Sequence, residues 1–147
     1  MVPDMITEAV SQQSRARRYN RRKQLQVEMS VSFKAYLIEQ VEGKVAARFA
    51  DIEESQLDAG EVMIAVAYSG VNYKDALAAT GAGRIIRRFP CIGGIDLSGT
   101  VVKSCSSKFQ PGDQVLATSY DIGVAHHGGF AELARIPADW VYKLPAG

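Results

Sequence analysis

The sequence predicts a mainly β, barrel-like domain, and three observations carry that reading. Short apolar or alternating segments recur at close spacing from residue 31 to the end. Gly, Pro and Asp punctuate the gaps between them. Only one stretch, "NYKDALAAT", has clear helical propensity. A chain of 147 residues can bury one sizeable core.

The elements follow in order. "VSFKAYLIE" (31–39) and "KVAARFADI" (44–52) read as two strands of a hairpin, with Gly43 available for a positive φ. A turn at Asp58-Ala59-Gly60 leads into "EVMIAVAYSG". There Val62, Ile64 and Val66 fall on one face and Met63, Ala65 and Ala67 on the other, which predicts a strand covered on both sides. The helix over "NYKDALAAT" has Asn72 as a natural N-cap and Gly81 as its stop. "GIDLSGTVVKS" (94–104) is a strand in which Gly94 and Gly99 allow close backbone approach or a bulge. A Pro-Gly-Asp turn precedes the strand in "KFQPGDQVLATS", and "GGFAELARIP" and "DWVYKLP" read as two more short strands.

Charge and cysteine usage exclude several classes. The net charge is +1, but residues 1–28 hold six basic and three acidic groups, so the rest is close to neutral and carries no nucleic-acid footprint. The run "SRARRYNRRK" can be read as an RNA-binding arm, part of a targeting peptide or a solvated tail. The favoured reading of residues 1–28 is a disordered basic extension, with the first strand-like segment opening at Met29. No apolar run is long enough to cross a bilayer. Cys91 and Cys105 are too few for a disulfide scaffold and lack zinc-ligand spacing, so they read as reduced thiols in a cytoplasmic protein.

Four segments in this order, "SGVNYKDAL", "GRIIRRFPCIGGIDLSGTV", "FQPGDQVLAT" and "HHGGFAELARIPADWVYKLP", resemble the GroES-like catalytic domain that begins the medium-chain dehydrogenase/reductase enzymes. The pairing of "NYKDAL" with "IIRRFP" and "GIDLSG" is similar to the acrylyl-CoA reductase and quinone oxidoreductase-like branch. The resemblance runs from about Phe33 to Gly147. It implies a GroES-like, partly open β-barrel over residues 29–147, with one or two short helices. It also implies hydride transfer from NADPH to an activated C=C bond of acrylyl-CoA, a quinone or another enone, and hence a small-molecule or acyl-CoA substrate.

Two departures from the family pattern matter. Zinc-using relatives place a Cys ligand near the start of this helix and a His-Glu pair where this chain has Ile95-Asp96, so no metal is expected. The family's Rossmann domain is expected to be absent, because Gly147 stands where its linker would start. "GAGRII" and "HHGG" lack the rest of a dinucleotide fingerprint. The chain alone is therefore expected to be inactive and to bind little NADPH, with a dimer expected only where a Rossmann domain is present.

The resemblance assigns Asn72 and Tyr73 to catalysis and cofactor contact, and Lys74 reads either as a solvated residue or as a contact to a cofactor phosphate or acyl-CoA. Without zinc as Lewis acid, developing oxygen charge must meet hydrogen-bond donors, which an Asn amide and a Tyr phenol supply. Asn72 is at the same time a helix cap, and a half-buried packing role competes for Tyr73. Asp75 suits a first helical turn. Arg84, Arg87 and Arg88 read either as a CoA phosphate contact or as a solvated loop, and Arg87, Tyr120 and His126 are the substrate-side candidates. His126 and His127, flanked by glycines and without a partner at ligand spacing, read by default as loop histidines. Asp96 reads as a group that satisfies backbone amides in a turn. The competing function class is a stand-alone barrel interaction module with a basic arm and no catalysis.

Overall fold

The computed structural model describes residues 32–145, so the readings of residues 1–28 and of the junction at Met29 lie outside it. The elements are β1 (Ser32–Val41), β2 (Lys44–Glu53), a 3-10 turn (Glu54–Gln56), β3 (Val62–Tyr68), α1 (Tyr73–Thr80), β4 (Cys91–Ile92), β5 (Asp96–Ser104), β6 (Gln114–Thr118), β7 (Leu133–Ile136), a second 3-10 turn (Ala138–Trp140) and β8 (Val141–Lys143). They form a three-stranded sheet, β2-β1-β4, and a five-stranded sheet, β7-β3-β5-β6-β8, every pair antiparallel. Among the described residues neither sheet closes on itself, as a partly open barrel requires.

β1 and β2 pair from Ser32↔Glu53 to Val41↔Lys44 around a two-residue turn. Both turn residues, Glu42 (φ 49) and Gly43 (φ 78), are left-handed, the backbone whose twist matches a right-handed hairpin. β4 pairs with the other side of β1, Leu37↔Ile92 and Ile38↔Cys91. The sequence gives no local sign of it, because two residues are too few to show a period. The segment 128–137 also becomes strand only at Leu133–Ile136, since the preceding glycines make a crossing instead.

Two apolar clusters share β3. Val62 and Ile64 join Leu97, Val101, Val115 and Ile136 within the five-stranded sheet, while Met63 faces Phe33, Leu37, Ile52 and Ile92. Each fully buried aliphatic side chain is worth about 1.5–3 kcal/mol relative to exposure. The expected double covering of β3 thus holds for Val62–Ile64, weakens at Ala65 and Val66, and is lost at Ala67 and at Tyr68, which is 79% exposed. The reason is register: β7 pairs with β3 only as far as Ala65↔Leu133.

The two sheets are laced together where Gly93–Gly94 meets Gly128–Gly129. Gly128, Gly129 and Phe130 donate their N–H groups to the carbonyls of Ile92 (2.9 Å), Gly94 (3.0 Å) and Gly93 (2.9 Å), and β1 joins through Tyr36 N–H to Phe130 O (2.7 Å). A Cβ on Gly128 would run into the carbonyl oxygens of both Gly93 and Gly94. Gly99 is constrained in the same way by Ala65 O across the β3–β5 pair, beside a register break. Close approach was the expectation for Gly94 and Gly99, and both show it.

Gly128→Ala is expected to cost roughly 3 kcal/mol or more in urea unfolding, because backbone rather than a flexible side chain must move. Gly83→Ala, whose Cβ would make only ordinary contacts at 3.5 Å, serves as the comparison and is expected to cost under about 1 kcal/mol. Equal costs for the two variants would show that the crossing is not the constraint described.

Candidate active site

The site begins where β3 hands the chain to α1. Asn72 occupies the N-cap in an extended conformation (φ −106, ψ 157), and Asp75 turns back to accept the Asn72 backbone N–H at 2.8 Å. Asp75 is buried although it carries a charge, because this bond and the helix N-terminus both favour a carboxylate there. Gly81 ends the helix in the left-handed conformation (φ 71). The helix cap expected at Asn72 is therefore formed.

The Asn72 side chain serves two partners: its Oδ1 faces the Asp75 N–H, completing the capping box, and its amide nitrogen reaches the sheet. Its Nδ2 donates to Asp96 Oδ2 at 3.0 Å, while Gly70 N–H donates to Asp96 Oδ1 at 2.6 Å and Ser69 Oγ donates to Asp96 O at 2.6 Å. Asp96 does satisfy a backbone amide, as expected, but it also holds a side chain 24 residues away, which no local pattern reveals. Tyr73 is 80% exposed, so the half-buried packing role does not hold and the ring stands free at the first turn of the helix. Lys74 is exposed, and among the described residues it has no ion-pair partner.

The other candidates gather around residues 119–127, which join the Asn72 group just ahead of β5: Ser119 N–H donates to the carbonyl of Ile95, the residue before Asp96, at 3.2 Å. Asp121 O accepts the N–H groups of Val124, Ala125 and His126, which winds the loop tightly. Arg87 pairs with Asp121 at 3.1 Å, and Arg88 forks between Asp58 and Ala125 O, so two of the three arginines already have partners. The Tyr120 ring stacks on Trp140 (5.1 Å, 5° between planes), and its hydroxyl lies 3.1 Å from that of Tyr142. The hydroxyl is pushed above its usual range by Tyr142, through the hydrogen bond and charge repulsion. His126 packs edge-on against the same Trp140, its Nε2 3.1 Å from Ala59 O and its Nδ1 3.0 Å from His127 O. This imidazole is thus turned into the interior.

His127, like His126, reads in the sequence as a loop histidine. It is buried; its Nδ1 accepts the Ile92 N–H at 3.0 Å and its own N–H donates to Asp58 Oδ2 at 2.7 Å. Burial holds the ring below the usual histidine range, and Asp58 only partly offsets it. Cys91 lies beside this group, fully enclosed, with its thiol pushed up to about 12 by burial. Cys105 is exposed.

An apolar cleft of about 530 Å³ opens where β7 leaves β3. Tyr36, Phe49, Val66, Tyr68, Val71 and Phe130 wall it, and Ser69 and Val71 bring it next to Asn72 along the chain. Its lining comes from four separate segments, so the sequence showed only their individual periods. Among the described residues no three His, Cys, Asp or Glu side chains converge as metal ligands, and no helix is long and apolar enough to cross a membrane. Gly81-Ala82-Gly83 follows α1 rather than leading into a helix, so it does not fit a pyrophosphate.

Comparison with known proteins bears on all of this. Residues 58–146 match the model of the alcohol dehydrogenase GroES-like domain. The chain is 48% identical over 113 residues to a probable acrylyl-CoA reductase of Escherichia coli, covering 77% of this chain and 35% of that protein. It is 45% identical over 117 residues to a putative quinone oxidoreductase of Bacillus subtilis, covering 80% and 36% respectively. An oxidoreductase of Salmonella enterica, crystallised in complex with NADP, superposes with a TM-score of 0.75 at 50% identity, over 77% of this chain and 35% of that one. The chain therefore spans about a third of the length of the curated relatives it matches.

The lowered pKa of His127 sets a pH dependence. A base held below its unfolded value contributes stability that is complete above that value, near 6.5, and is lost as pH falls through the folded pKa. The melting temperature is expected to drop as pH is lowered from 6.5, and His127→Gln is expected to flatten that acid limb even if it lowers stability throughout. An acid limb equally steep in the variant would exclude His127 as its origin.

Proposed function

Because the chain belongs to the alcohol dehydrogenase GroES-like domain family, in the acrylyl-CoA reductase-like branch of the medium-chain dehydrogenase/reductases, we propose that it is the catalytic-domain portion of a zinc-independent reductase. The substrate class is an activated C=C bond, in acrylyl-CoA, a quinone or another enone, and the setting is cytoplasmic. The observation that carries the reading is the polar junction itself: an Asn72 amide held at one N–H, beside an exposed Tyr73 phenol and Lys74 ammonium, next to an apolar cleft.

The first turn of α1 fits the polar end of a nicotinamide cofactor, while its pyrophosphate would be held by residues outside this chain. NADPH, when bound, supplies the hydride. Asn72 keeps its second N–H for orienting a ligand, while its Oδ1 faces the Asp75 N–H as the other half of the capping box. Tyr73 donates its phenol proton, directly or through water, to the oxygen on which negative charge collects. Lys74 offers a point charge to phosphate, and Arg87 does so once it gives up its exposed pair with Asp121. Tyr120 and His126, fixed against Trp140, keep the loop that carries Asp121 in place. After hydride addition the carbon next to the carbonyl takes a proton from water, the oxygen returns its proton to the Tyr73 phenolate, and the reduction is complete.

The 147-residue chain is expected to show no NADPH-dependent turnover of acrylyl-CoA. A chimera in which residues 33–145 replace the matching segment of the E. coli relative is expected to be active, and Asn72→Ala within it to lose roughly 10–100-fold in kcat. Turnover by the chain alone would refute its dependence on a second domain, and an inactive but folded chimera would refute the assignment as a reductase.

A further inference from the structure

We propose that Asp96 is the positioning residue of this site, fixing which side of the Asn72 amide faces a bound ligand. The inference rests on the reading of Asn72 as the ligand-orienting group. An ionised carboxylate only accepts hydrogen bonds, so the atom of Asn72 facing Asp96 must be Nδ2 and never Oδ1. The orientation of this amide is thereby set by chemistry.

The carboxylate is itself immobilised. Its two oxygens are divided between Gly70 N–H (2.6 Å) and Asn72 Nδ2 (3.0 Å), and its backbone carbonyl receives Ser69 Oγ (2.6 Å). Three residues of the β3–α1 connection are thus tied to the first residue of β5. Gly70 admits this approach because it lacks a side chain: a Cβ there would lie 3.1 Å from Asp96 Oδ2 and 3.3 Å from Oδ1. Asp75, not Asp96, holds the Asn72 backbone. The labour is divided between two carboxylates, one forming the helix and one aiming the side chain. Asp96 can therefore be altered without removing the helix cap.

The closing experiment separates aiming from folding. In the ¹⁵N-labelled full chain, one Asn72 Nδ2 proton is expected to exchange slowly with water and the other quickly. Asp96→Asn leaves one acceptor oxygen for two donors, and the shorter bond, from Gly70 N–H, claims it. The new side-chain N–H then faces Asn72, so both Nδ2 protons are expected to exchange alike, while the backbone signals of Tyr73 to Thr80 stay in place. Asp96→Glu, which keeps the acceptor, is expected to restore part of the protection. In the active chimera, Asp96→Asn is expected to lower kcat about 10-fold with a smaller change in KM, and to add nothing in the Asn72→Ala background. Unchanged Asn72 side-chain signals in Asp96→Asn, or the same kcat loss with and without Asn72, would overturn the proposal. If Asn72→Ala leaves kcat intact, the role given to Asn72 falls, and the exchange measurement alone decides whether Asp96 aims it.

Discussion

Everything in this domain hangs on one backbone crossing. Gly93–Gly94 leaves the three-stranded sheet for the five-stranded one, Gly128–Gly129 leads towards β7, and the two segments exchange hydrogen bonds with no side chain between them. A pair of sheets joined only by apolar packing would slide, since dispersion and burial are weakly directional. Peptide groups at 2.9–3.0 Å are directional, so they fix the angle at which one sheet meets the other. The positions of β5, of Asp96 at its start and of the 119–127 loop are all inherited from this contact.

The polar site is built on that frame in two stages. Asp75 closes the helix by a local bond three residues long, and Asp96 then reaches across the sheet to the same asparagine. The first bond makes α1 and the second orients what α1 presents. Both carboxylates accept hydrogen bonds, which offsets the cost of burying Asp75 and half-burying Asp96. The exposed partners, Tyr73 and Lys74, are the groups left uncommitted.

Legibility in the sequence followed contact range. The β1–β2 hairpin, the Asn72 cap, the Gly81 stop and the close approach at Gly94 and Gly99 each write their cause within a few residues, and each was readable. β4 was not, because Cys91–Ile92 is strand only by virtue of Leu37 and Ile38, more than fifty positions earlier. Tyr73 was ambiguous, since a tyrosine in the first turn of a helix can face in or out depending on what covers that turn. His126 and His127 read as a polar loop among glycines. The same glycines instead let the backbone dive inward and carry both rings with it. The hold of Asp96 on Asn72 has no sequence signature at all.

The contrast between the two thiols has a practical side. With Cys91 pushed up to about 12 by burial, its thiol stays protonated at pH 7, and the sulfur is sealed from solvent besides. Cys105 lies exposed, immediately after the end of β5. The folded domain thus comes with a single addressable handle for a fluorophore or a surface tether. The enclosed cysteine doubles as a reporter of unfolding, silent towards maleimides until the core opens.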